Sequence, residues 1–380
     1  MNTAALHERL FTLDSHSDTP TAGFARAGWD FAARHDVADH ESQIDLPRMA
    51  AGGVDAMVFA IYVGQAARSD EGLRTAHELA LRHFARTHEV LRAHAGACGL
   101  ALTADDAARL AAEGRRAIFL SIENAYSLGR DAGNVEKFFR LGTRMLGLTH
   151  MLHNDVADSS TDPRAPEWGG LSPLGREMVA ECNRLGLVLD ASHASDAALR
   201  DLLAHSATPP ILSHSGCRAV CDHDRNIDDD LLRALAARGG VIALNALPIA
   251  VVNAPGNRRT AAIADVLLRF QDAAPTPELR AAEQRGYDEA CAANPNPPVT
   301  LDDFIRHIEH AVEIAGIDHV GIGCDFDGGG GGFDGLRDVA DFPNITSALV
   351  ARGWREAELA KLWGGNTLRL FRAAEAAARR

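Results

Sequence analysis

Apolar and polar positions along the chain follow two periods. Short apolar runs rich in β-branched residues recur, and between them apolar residues fall at the three-to-four spacing of a helix face. The runs predict eight strands, at residues 10–16, 55–63, 116–124, 144–150, 187–193, 210–215, 240–246 and 319–327. The patterns between them predict helices over 70–95, 134–143, 172–186, 195–206, 228–240 and 300–316, with Ser172 as an N-cap ahead of Pro173. Strands alternating with helices make βα units and a parallel sheet. Eight units close most economically into an α/β barrel, the (β/α)8 or TIM barrel, as one catalytic domain over residues 1–380. A doubly wound open sheet is the runner-up, but no glycine-rich turn follows the first strand. Residues 248–299 break the rhythm: they are rich in Ala and Pro and carry two predicted helices, 261–271 and 277–292. As a helical insertion after strand seven they should project from the active-site face, as a lid or as a stabilising or oligomer-forming appendage.

Composition narrows the class. With 46% hydrophobic and 24% charged residues and no apolar run of 18, the chain reads as globular and not membrane-spanning. Glu8 and Arg9 interrupt the stretch where a secretion signal would need an apolar core, so a cytoplasmic location is expected. Six cysteines in 380 residues do not form a disulfide framework and are expected as thiols. A net charge of −14 disfavours nucleic acid and anionic membrane as partners.

The candidate chemistry stands at the C-terminal ends of the predicted strands. Strand one ends in His16 and Asp18, strand three in Glu123, strand four in His150, strand five in His193, strand six in His214, and strand eight in Asp325 and Asp327. In a barrel these ends converge on one mouth, where active sites of the fold lie. A single histidine at a strand end is more often a hydrogen-bonded surface residue than a ligand; four of eight strands ending alike are poorly explained that way. Imidazoles and carboxylates are the donors that borderline divalent ions such as Zn²⁺ favour. Three His, one Asp and one Glu exceed what one catalytic ion takes from protein. Glu123 as a bridge lets the set serve two ions, His16 and Asp18 on one and His193 and His214 on the other, sharing a hydroxide of lowered pKa.

Other residues leave alternatives open. Either Asp325 or Asp327 can hold the nucleophilic water and carry its proton, while the other caps the loop. Arg225 can clamp a substrate carboxylate or pair with Asp228 or Asp229. His153 competes with His150. Glycines 328–332 match no phosphate motif and are expected as a flexible loop, and His35, His40, His205 and His223 as solvated side chains.

At these residues the chain resembles the membrane (renal) dipeptidase family, zinc dipeptidases on the amidohydrolase barrel. The resemblance runs nearly end to end: "DSHSDTP", "SIEN", "LTHMLHNDVADSS", "GLSPLGREMVAECNRLGLVLDASHAS", "PPILSHSGCRAV", "RNIDDDLL" and "GIGCDFDG", in the family's order. It implies that His16 and Asp18 bind one zinc, His193 and His214 a second, and that Glu123 and a hydroxide bridge the two. It further implies that His150 binds the scissile carbonyl oxygen, Arg225 the terminal carboxylate of a dipeptide, and Asp325 a proton in transfer. L-Xaa-D-Xaa as well as L-Xaa-L-Xaa dipeptides are implied substrates, and a homodimer is common in the family. Mammalian members are secreted and lipid-anchored; this chain looks like the soluble bacterial type, ending in the charged helix "LRLFRAAEAAARR" and carrying "NALPIAVV" where those enzymes have an aromatic segment. The rival readings are another hydrolase of the same barrel, such as a lactonase or deaminase, and a non-enzymatic zinc or peptide binder. No lysine ends strand four, which argues against the carbamylated-lysine branch.

Overall fold

The apolar runs become eight parallel strands. In the computed structural model, which describes residues 2–37, 42–272 and 276–378, they are β1 (Leu13–Ser17), β2 (Ala56–Tyr62), β3 (Arg116–Glu123), β4 (Thr143–Gly147), β5 (Val188–Asp190), β6 (Ile211–Cys217), β7 (Val241–Leu244) and β8 (Val320–Ile322). His40 lies outside the described residues. Each strand pairs with its neighbour in chain order from β1 to β8. Between β8 and β1 the ladder shrinks to a bridge from Ser17 to Phe326, where Asp18 N donates to Phe326 O at 3.0 Å. The barrel is thus nearly closed. Two short strands, Cys98–Leu100 and Asn226–Ile227, add to β3 and β6.

Both faces of the sheet are buried, which is why the strands read as continuous apolar runs. On β3, Ala117 and Phe119 face the barrel interior, with Leu13, Ala56, Val58, Val188, Ile211 and Val241 from other strands. Ile118, Leu120 and Ile122 face the surrounding helices. The C-terminal helix Asn366–Ala377 sends Leu368, Leu370 and Phe371 into the interior set, and Phe371 stacks on Phe119 with ring centroids 4.3 Å apart. Most of these inner residues start their strands, so the helix plugs the end opposite the mouth.

Helix boundaries follow their caps. Ser172 accepts from Gly175 N ahead of Pro173–Leu185, which stops at Gly186 with φ +83°. Thr300 and Asp303 form a capping box for Leu301–Ala315. The insertion carries helices Arg259–Phe270 and Pro277–Ala293, joined where Arg259 donates to the carbonyls of Cys291 and Asn294. Arg280, on the second helix, lines a small cavity with Val63, Gly64, Ala66 and Tyr126, which follow the mouth ends of β2 and β3. The six cysteines are free thiols, and among the described residues no helix is long and apolar enough to cross a membrane.

Strand parity does not simply run through to the mouth. Leu13 and Asp14 pair with Ala56 and Met57, but the next pair is Ser17 with Phe59, so β1 holds one extra residue between Asp14 and Ser17. Likewise Leu212 pairs with Ile242 and Ser215 with Leu244, an extra residue in β6. Leu13 and Ile211 face inward; without the bulges His16 and His214 would face the helices. Each bulge reverses the parity and turns its histidine into the barrel. Ser15 Oγ donates to Ser213 O at 2.6 Å, tying the two irregular segments together, and a Cβ on Gly323 would stand 1.8 Å from that same oxygen.

Candidate metal centre and active site

On β3 the inward positions run Ala117, Phe119, Ser121, Glu123, so Glu123 is the last inward side chain before the mouth. Its two carboxylate oxygens face different partners. Oε1 lies 3.1 Å from His193 Nε2 and 3.6 Å from His214 Nε2; Oε2 lies 3.4 Å from His16 Nε2. His16 Nε2 is also 3.4 Å from Asp18 Oδ2 and 3.8 Å from Asp325 Oδ1. Donor atoms within 4.8 Å of one another form three sets: His16, Asp18 and Glu123; Glu123, His193 and His214; and His16, His214 and Asp325. All six residues are buried.

The charges in this cluster perturb one another strongly. Burial pushes the Asp325 carboxyl well up, as do Asp18 and Glu123. Burial alone would push the His16 imidazole down, yet Glu123 and Asp18 together raise it well above its ordinary value. A proton is drawn to the place where a metal ion would serve. His16 Nε2, Asp18 Oδ1 and His193 Nδ1 have no hydrogen-bond partner, and the Nε2 atoms of His193 and His214 face each other at 2.9 Å. Two imidazole nitrogens this close, both facing Glu123 Oε1, fit a shared divalent ion, so the donor set suits metal.

The remaining candidates line the rim. His150 Nε2 stands 3.9 Å from Glu123 Oε1, with the ring 4.4 Å from that of His193, and burial drives its pKa to about 3, so it is neutral. His153 does not share that position. It accepts from Ser159 N at 2.9 Å and lies 3.6 Å from Asp158, inside the loop that follows β4. Asp327 is similarly committed: it accepts from Thr19 Oγ1 and Ser42 Oγ at 2.7 Å each and from Gln43 N at 2.6 Å, clasping the segment after β1. Arg225 is buried and donates to His214 O at 3.1 Å. Asp228 faces Arg218 instead, and Asp229 pairs with His310.

Two expectations are corrected. The glycine run is a tight turn and not a flexible loop: Gly328 N and Gly330 N donate to Asp325 O, and a Cβ on Gly328 would lie 2.3 Å from both Asp18 Oδ2 and Asp325 Oδ1. Only hydrogen fits. His223 is not solvated; it bonds Thr260 Oγ1 at 2.9 Å and accepts from Arg225 N, and burial lowers its pKa to about 4. His35 is half-buried, stacked 4.7 Å from Trp29, while His205 is exposed as expected. Among the described residues the non-glycine positions with positive φ are Asn124, His193, Asp325 and Asp327, all at strand ends around the mouth.

Sequence reasoning missed three contributors. Tyr62 pairs in register with Glu123, and its hydroxyl lies 3.3 Å from His150 Nδ1. The same alternation that placed Glu123 inward reaches it. Asp14 accepts from His16 N and Cys324 N, spanning the seam where the β8–β1 ladder is incomplete, and burial raises its pKa to about 6. Asp190 holds Ser213 beside His214. For Asp14 and Asp190 the signal was a carboxylate inside an apolar run, "LD" in both places.

This arrangement has known relatives. The family model of membrane dipeptidases, peptidase family M19, matches residues 1–380. The chain belongs to that family. Membership in the membrane dipeptidases makes it a hydrolase acting on peptide bonds. The dipeptidase aclJ of Aspergillus oryzae is 30% identical over 380 residues, 98% of this chain and 80% of that protein. The dipeptidase tcpJ of Claviceps purpurea is 29% identical over 95% of this chain and 76% of its own. Among solved structures, the probable dipeptidase PvdM from Pseudomonas aeruginosa superposes with a TM-score of 0.83 at 29% identity, covering 99% of this chain and 98% of that one. PvdM is thus nearly the same length as this chain, whereas the two fungal dipeptidases are longer.

Proposed function

We propose that the protein hydrolyses dipeptides with a free C-terminal carboxylate, of L-Xaa-L-Xaa and L-Xaa-D-Xaa type, at a centre of two zinc ions. The observation that carries this reading is the sharing of Glu123 between two donor sets beside a buried Arg225. His16 and Asp18 would hold one ion, His193 and His214 the other, and Glu123 both. When bound, such a pair would supply a hydroxide nucleophile at neutral pH and polarise the peptide carbonyl.

The chain's own groups do the rest. His150, neutral at working pH, has the Tyr62 hydroxyl 3.3 Å from Nδ1; with that hydroxyl donating, the ring hydrogen sits on Nε2, where it can donate to the carbonyl oxygen as charge develops there. Arg225 spends one N–H on the His214 carbonyl and has others for a carboxylate. Burial lowers its pKa, so a substrate anion offsets an existing desolvation cost. Asp325 takes the nucleophile's proton and gives it to the departing amine. The second insertion helix comes near the mouth: its Tyr287 and Glu283 add to the rise in the pKa of Tyr62, after burial and the carboxylates Glu123 and Asp18.

The test is a metal count and a dipeptide panel on the purified protein. The expected result is about two ions per chain, cleavage of both stereochemical types, loss on chelation and return with zinc. Cleavage that persists without metal, or none by a metal-replete sample, overturns the reading.

A further inference from the structure

His214 is the one candidate ligand whose outer ring nitrogen meets a hydroxyl backed by a carboxylate. Its Nδ1 lies 2.8 Å from Ser213 Oγ, and Ser213 Oγ lies 2.5 Å from Asp190 Oδ2. Asp190 Oδ1 is already committed, accepting from Ser192 N at 2.9 Å and Ser213 N at 3.0 Å. All three side chains are buried. Ser213 belongs to the irregular segment of β6, where the extra residue turns the strand.

We propose that Asp190 and Ser213 are positioning residues that fix the His214 ring as the tautomer with its hydrogen on Nδ1. The direction of each hydrogen follows from what each group can do. A carboxylate only accepts, so the Ser213 hydroxyl hydrogen points to Asp190 Oδ2. Ser213 Oγ has then no hydrogen left for the ring and must accept from it; its next neighbour, Ser192 Oγ, is more distant at 3.4 Å. His214 Nδ1 therefore donates, and Nε2 is left with its lone pair aimed at Glu123 Oε1 and His193 Nε2. This is the form a metal ligand requires. The relay rests on the reading of His214 as a ligand, which the closing experiment separates from it.

The isosteric variant Asp190→Asn makes the inference sharp. Two backbone N–H groups require the amide oxygen at the Oδ1 position, which leaves the NH₂ facing Ser213 Oγ. The amide then donates, Ser213 turns its hydrogen to His214 Nδ1, and the ring hydrogen moves to Nε2. Shape is kept and the relay runs backwards. Ser213→Ala only removes the relay.

The experiment measures zinc affinity by chelator competition, the melting temperature of the metal-free protein, and the ring ¹⁵N shifts of His214 in wild type and both variants. Expected are two ions in wild type with Nδ1 protonated, a 10- to 100-fold loss of affinity for one ion in Ser213→Ala, and a larger loss in Asp190→Asn with the ring hydrogen on Nε2. The metal-free melting temperature of at least one variant should match wild type. Wild type with no bound metal sinks the ligand reading itself. Two ions bound with unchanged affinity and unchanged ring shifts in a folded variant sink the relay alone.

Discussion

Arg225, as the proposed carboxylate clamp, would join substrate choice to the fold's electrostatics. It is a buried cation that makes no ion pair within 4 Å among the described residues, with Asp325, Glu123 and Asp190 acting on it from further off, and its backbone N–H is held by His223. Replacing it with Ala should remove the partner of a desolvated substrate anion, worth about 2 kcal/mol or more, hence a rise in KM of roughly thirtyfold. Steady-state kinetics check this; an unchanged KM with bound metal intact refutes the clamp. Gly328 bears on the metal side. The Cβ of Gly328→Ala would push into both Asp18 and Asp325, so metal content and kcat should fall together while circular dichroism stays native. A fully active variant would mean that the turn has room to shift.

Strands and helices were the most legible level, and their failures have physical causes. Runs of apolar residues buried on both faces gave eight strands within a few residues of those seen. Alternation put His16 and Asp18 on one face but could not say which, since the answer depends on a bulge that leaves no mark in "LDSHS". Helix Ala104–Ala112 was passed over although Thr103 caps it and acidic residues fill its first turn. The β2–β3 connection holds two helices, and only the first is predicted from the sequence. The glycine run failed for a different reason: glycine marks freedom in an open loop and crowding in a closed one, and composition cannot separate them. The insertion can be tested as an element. Replacing residues 254–298 with a short flexible linker should alter kcat and KM for dipeptides and blur discrimination among them, with the ion count unchanged. A change in thermal stability alone would make it an appendage and not a cover.

Convergence of the site is a property of the whole molecule. His16 and Asp325 are more than 300 positions apart and meet because barrel closure brings the first and last strands together. The order of strand ends was readable and their distances were not; spacing left Asp325 against Asp327 and His150 against His153 open, and only the family resemblance chose the two that face the cluster. Stability against acid is another whole-molecule property. His307 accepts from Cys217 N at Nδ1 and donates to Val251 O from Nε2, and burial lowers its pKa to about 4. A second ring proton would break the Cys217 bond. Above the unfolded value near 6.5 this contribution is fully present; as pH falls from 6.5 towards 4 the unfolded chain gains a proton the fold refuses, and roughly 3 kcal/mol is lost. His7 and His223, also lowered by burial, add with the same sign. Melting temperature should fall through that window, and His307→Gln should flatten the slope; a slope that does not change would place the acid sensitivity elsewhere.

The left-handed backbone at Asn124, His193, Asp325 and Asp327 has an evolutionary consequence. Each such position costs on the order of 1 kcal/mol, and glycine would relieve it. Heat resistance and turnover therefore pull the mouth of the barrel in opposite directions. A lineage selected only to survive warming would gain by losing the side chains of His193 and Asp325, and with them the proposed hydrolysis, but would keep Asp327 and Asn124, whose hydrogen bonds hold the surrounding loops.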